Sequence, residues 1–166
     1  MFVLGVDPGV SRCGYGCVES ARGQARAVAV GVLSTSPSQP LPERLAALDT
    51  DVRDLLADLR PEVVAVERLF FQTNVRTAMS VGQASGLVLA AASHAGCAIA
   101  QYTPNQVKQA VAGYGAAGKE QVQRMVQSLL GLAAVPKPAD AADALALALC
   151  HLSMAPLQAR LAGSVQ

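Results

Sequence analysis

A chain of 166 residues is long enough to bury one core and too short for two ordinary domains. Hydrophobic residues make up 52% and charged residues 15%, yet no run of about 18 apolar residues escapes interruption by glycine, polar or charged side chains, which argues against a membrane span. The formal net charge of +1 points to no partner, but its distribution is uneven. Leu41 to Glu67 carries seven acids against three arginines, whereas Arg68 to Lys137 carries Arg68, Arg76, Lys108, Lys119, Arg124 and Lys137 against Glu120 alone. One surface can therefore be basic while another stays acidic.

The apolar run Phe2 to Val6, closed by Asp7-Pro8-Gly9, predicts a first strand ending in a turn. Its lack of a basic leader region argues against a signal peptide and for a cytoplasmic protein. Gly14 to Val18 and Ala25 to Leu33 read as two further strands of an antiparallel meander, separated by the polar Glu19 to Gly23. After a Ser/Pro-rich linker from Ser34 to Pro42, apolar residues recur at three- and four-residue intervals from Glu43 to Leu59, as in an amphipathic helix, and Pro61 stops it. Val63 to Val66 is short and wholly apolar, the mark of a strand buried on both faces, with Glu67 at its end.

Thr73 to Ser93 is rich in Ala, Ser and Gly and predicts a helix with a flat face suited to close packing against another helix. Cys97 to Gln101 gives a further strand, Pro104 to Val111 a short helix, Lys119 to Leu130 another, and Asp140 to Leu152 an Ala/Leu-rich final helix. The order β-β-β-α-β-α-β-α-α-α predicts an α/β fold, a mixed sheet covered by helices. It forms one domain over residues 1–155, with a frayed tail over 156–166. Cys13, Cys17, Cys97 and Cys150 lack zinc-ligand spacing and read as reduced, mostly buried thiols, with His94 and His151 as ordinary helix residues.

Four acids fall at suggestive places. Asp7 and Glu67 end strands, where sites form in open α/β sheets, and Asp140 and Asp143, three apart, share one face at the start of the last helix. Each has a plain alternative as a turn, strand-end or helix-cap residue. Asp143 is the hardest to dismiss, because the helix after it is apolar nearly all round and a carboxylate beside a buried face needs a partner. Crowded carboxylates without His or Cys suit a hard cation, Mg²⁺ or Mn²⁺. Gly113 to Gly118 satisfies GxGxxG, and Gly113 to Lys119 satisfies GxxxxGK. Neither has its required context, a preceding long strand or a following Ser/Thr, so a flexible Gly-rich loop presenting Tyr114 and Lys119 is the better reading.

LGVDPGVSRCGYG (Leu4 to Gly16), VAVERLF (Val64 to Phe70), NQVKQAVAGYGAAGKEQVQRMV (Asn105 to Val126) and ADAADALALALCH (Ala139 to His151) together resemble the RuvC family of Holliday-junction resolvases, from residue 3 to about 153. The resemblance implies an RNase H-like fold with a mixed five-stranded sheet, and a homodimer that cuts four-way junctions symmetrically in recombination and repair. It implies catalytic and metal-binding roles for Asp7, Glu67, Asp140 and Asp143 and a catalytic role for Lys119. Two Mg²⁺ ions per site, or Mn²⁺, would then activate water and stabilise the leaving 3′-oxygen, with Asp7 bridging the ions. DNA contacts would fall on Phe70, Arg76, Lys108, Tyr114 and Lys119, with Phe70 at the junction crossover. The helix from Thr73, Ala84 and Ala91 included, would form much of the two-fold interface, and the RuvA–RuvB branch-migration complex would be a partner. Two rivals remain at this stage: one lobe of an actin/hexokinase-type ATP-binding protein, and a catalytically silent junction-binding module.

Overall fold

The computed structural model describes the backbone of residues 1–68 and 75–163 and the side chains of 1–68 and 78–156. Its elements are β1 (Phe2–Asp7), β2 (Arg12–Ala21), β3 (Gln24–Ser34), α1 (Leu41–Leu59), β4 (Val63–Glu67), α2 (Val75–His94), β5 (Ala98–Tyr102), α3 (Pro104–Ala112), α4 (Lys119–Leu129) and α5 (Ala139–Gly163), the order expected from the sequence. They form one sheet in the order β3-β2-β1-β4-β5, antiparallel across β1–β2–β3 and parallel across β1–β4–β5.

Strands β2 and β3 run further than expected. Arg22 and Gly23, at φ 52° and 79°, make the tight turn between them, and a two-residue turn with both φ positive suits the strand twist. Glu19, Ser20 and Ala21 therefore stay in the ladder. Alternation along the strands sorts the core into two layers. Leu4, Val6, Val64 and Val66 face α1 and α2, packing on Leu48, Val52, Leu56, Ala84, Val88 and Ala91. Val3, Val18 and Ala65 face α3, α4 and α5, packing with Val107, Val122, Val126, Leu145 and Leu147. Cys13, Cys17 and Cys150 are buried free thiols, and Cys97 is half-buried. His151 is buried, its Nδ1 2.7 Å from the Tyr102 hydroxyl.

Two expectations need correction. Ala84 and Ala91 are not offered to a second subunit, because both are buried in the layer that α2 forms with α1; the flat face meets a helix of its own chain. The exposed stripe of α2 is instead Met79, Gln83, Gly86, Ala90 and Ser93. The last helix also runs beyond Leu152 to Gly163 and carries Pro156 inside it. Met154, Ala155, Leu157, Gln158 and Ala159 are good helix formers, which favours continuing the backbone helix. Among the described residues no helix is long and apolar enough to cross a membrane.

Candidate active site

The site is built where β1 and β4 end beneath the start of α5. These strands are parallel with Val6 opposite Val66, which sets Asp7 beside Glu67. Asp7 shares its face with Val3 and Glu67 shares its face with Ala65, so both carboxylates point to the α5 side. Helix α5 can approach because the strands offer it glycine. A Cβ at Gly5 would run into the carbonyl of Ala144, one at Gly14 into the carbonyl of Asp140, and one at Gly16 into the Leu145 side chain. Gly16 pairs with Gly5, and Gly14 with Asp7, so α5 lies directly on strand backbone. That close seat brings Asp140 and Asp143 over Asp7 and Glu67.

The electrostatics follow from this crowding. Burial pushes the Asp7 carboxyl from its ordinary 3.8 up to about 7, with Asp143, Glu67 and Asp140 adding repulsion and Lys119 opposing them. Glu67 is raised by burial and by Asp143, against the pull of Lys119 and Lys108. Two cations hold the helix carboxylates: Lys119 Nζ donates to Asp143 Oδ2 at 2.7 Å and Arg12 Nε to Asp140 Oδ2 at 2.8 Å. The bond to Asp143 in turn raises the Lys119 ammonium above its ordinary value. A cavity of about 240 Å³ opens here, lined by Glu67, Lys108, Lys119 and Asp143 with apolar walls from α3, α4 and α5.

The four acids expected from the sequence thus meet, with Lys119 among them and Lys108 on the cavity wall. Tyr114 is half-exposed in the turn between α3 and α4 and belongs to none of these contacts. Gly113 caps α3 with φ 82°, so the Gly-rich segment follows a helix, as a nucleotide-binding loop would not. Phe70 and the side chain of Arg76 lie outside the described residues. Sequence reasoning missed Arg12, the first residue of β2, five positions after Asp7, and it missed the glycines as the seat of α5.

As a donor set the site fits a hard divalent cation: four carboxylates converge, without His or Cys, and their mutual repulsion exceeds what Lys119 offsets at Asp7. Among the described residues no three of them are drawn into a finished ion cage, and Arg12 and Lys119 hold two of the four.

The family model for the crossover junction endodeoxyribonuclease RuvC matches residues 3–151. A relative of that name from Moorella thermoacetica is 52% identical over 160 residues, covering 96% of each chain. One from Saccharopolyspora erythraea is 53% identical, covering 98% of this chain and 82% of its own. The Thermus thermophilus RuvC structure in complex with a Holliday junction substrate is similar at a TM-score of 0.90 and 44% identity, covering 95% of this chain and 96% of that one.

Proposed function

The chain belongs to the RuvC family of crossover junction endodeoxyribonucleases, and from that premise we propose that it resolves four-way DNA junctions by divalent-metal-dependent hydrolysis of a phosphodiester. The observation that carries this reading is the gathering of Glu67, Asp140 and Asp143 around Asp7 where β1 and β4 end beneath α5, with the Asp7 carboxyl pushed up to about 7 by burial and by the other three. The substrate class rests on the family and on the Thermus thermophilus relative seen with a Holliday junction.

Asp7, Glu67 and Asp143 would hold two Mg²⁺ or Mn²⁺ ions, with Asp140 at their edge. Such ions supply an acidified water and charge stabilisation on the phosphate and leaving oxygen. The chain's own groups do the rest. Asp7 sheds the proton that burial favours and then offers both oxygens. Lys119, kept charged by Asp143, stands ready to meet a phosphate oxygen, and Lys108 adds positive charge across the same cavity. Tyr114, exposed on the adjoining turn, would touch the DNA backbone.

Symmetric cutting calls for two sites related by a two-fold axis. We assign the second copy to the exposed α2 stripe, from Met79 to Ser93, and to the adjoining edge strand β5, where Ile99 is 41% exposed. A RuvA–RuvB branch-migration complex is the further partner of this reading.

The test uses a synthetic four-way junction and a matched linear duplex, with and without Mg²⁺, read on a denaturing gel. Asp7→Asn, Glu67→Gln, Asp140→Asn and Asp143→Asn should each slow junction cleavage by at least about 100-fold, since each removes a ligand of an ion worth several kcal/mol in the transition state. Junction binding should persist. Full activity in any two of the four would sink the site assignment.

A further inference from the structure

Beside the acidic site lies a second, positively charged crevice. A cavity of about 290 Å³ is bounded by the turn Gly9 to Arg12, by Arg44 from the first turn of α1 and by Ser80 of α2. Among the described residues its lining holds two guanidinium groups and no carboxylate. Arg44 is fixed there: Nε donates to Thr35 Oγ1 at 2.9 Å and Nη2 to Ser11 Oγ, while the Thr35 hydroxyl donates to the Val10 carbonyl at 2.6 Å. Both partners of Arg44 are neutral hydroxyls, so neither cancels its charge. Arg12, on the opposite side, reaches out of the crevice to Asp140. The crevice and the acidic site therefore share a wall.

We infer that this crevice is a binding site for a backbone phosphate of the substrate DNA, next along the strand from the phosphate that is cut; the inference rests on the junction-cutting function proposed above. A guanidinium anchored through two of its nitrogens is preorganised for a phosphate, since little side-chain freedom remains to be lost. Ser11 and Ser80 add hydroxyls to the same rim. A bound strand meets positive charge first and is led across Arg12 to the carboxylates. The phosphate positions the strand and carries no base preference.

The experiment measures anisotropy of a labelled four-way junction between about 50 and 200 mM KCl. All proteins carry Asp7→Asn to prevent cutting. Arg44→Gln removes the charge, and Arg44→Lys keeps it. Ser11→Asp leaves Arg44 anchored while neutralising it with a carboxylate, so it answers the question even if Arg44→Gln is poorly folded. Losing one phosphate contact flattens the plot of log affinity against log salt by about 1. That flattening is expected for Arg44→Gln and Ser11→Asp, on all sequences alike, with Arg44→Lys close to the parent. A role for Arg44 only as a staple between α1 and the turn lowers thermal stability and leaves the slope alone. Parental slopes in both charge-removing variants overturn the inference. If the parent protein itself does not prefer the junction to a duplex, it is the junction-cutting proposal that fails.

Discussion

In metal-free protein at pH 8, Asp7→Asn should make the fold more stable. The Asp7 carboxyl stands at about 7 in the folded chain against an ordinary 3.8. Between these two values the folded protein keeps a proton that the unfolded chain has released, so stability falls as pH rises through that window and the full penalty is present above it. At 1.36 kcal/mol per pH decade the span corresponds to roughly 4 kcal/mol. Solvent at the strand ends and relaxation of the neighbouring carboxylates screen this to about 1–2 kcal/mol. Asn carries no charge at any pH and escapes the penalty. For a domain of this size the gain corresponds to a rise in melting temperature of about 2–8 °C. The assay is thermal unfolding in EDTA at pH 5 and pH 8, repeated with saturating Mg²⁺. The advantage of Asn should be present at pH 8, shrink at pH 5, and disappear or reverse with Mg²⁺, which stabilises only a protein able to bind it. Equal melting of the two proteins at pH 8 in EDTA, or an advantage unchanged between the two pH values, refutes the reasoning.

Gly5→Ala should destabilise by about 3 kcal/mol, the upper end of overpacking, because its new methyl meets the Ala144 carbonyl rather than a yielding side chain; wild-type melting and cleavage in this variant would show that α5 sits further from β1. Arg12→Gln should leave melting almost unchanged, since an exposed pair contributes less than about 1 kcal/mol, while the Mg²⁺ concentration needed for half-maximal thermal stabilisation falls by about 2–5-fold as Asp140 is released. An unmoved midpoint would mean that Arg12 does not compete with the cation. Gly86→Arg and Ala90→Arg, on the exposed stripe of α2, should give folded monomers in sedimentation velocity; dimers in both would place the two-fold contact elsewhere.

Element order was legible because each segment announced itself locally: the 3.6-residue rhythm of α1, the all-apolar β4, the turn after Asp7. The acids were legible for a related reason, since carboxylates at strand ends and one turn apart on a helix converge by topology alone. What escaped was whatever depended on contacts between distant segments. Composition identified the small-residue face of α2 correctly but could not say whether a helix of the same chain or of a second one would cover it; the structure gives that place to α1. Nothing in the sequence singled out Arg12, and only the approach of α5 brings Asp140 within 2.8 Å of it. Arg44 was only one of three arginines in an acidic segment, and it is the approach of the β1–β2 turn that makes it part of a crevice.

The seating of α5 on bare strand backbone also sets when during synthesis the protein can become dangerous to DNA. The first carboxylate is made at position 7 and the last at position 143, and the layer that aligns them is completed by Leu145 and Leu147 of the same late helix. A chain emerging from the ribosome amino end first has displayed its whole sheet by Tyr102 while still lacking two of its four acids and the helix that would bury the other pair. The same holds for any product truncated before residue 139. On the proposed function the order of elements acts as a safety catch: an unfinished copy can present the strand ends but cannot assemble the four-acid site.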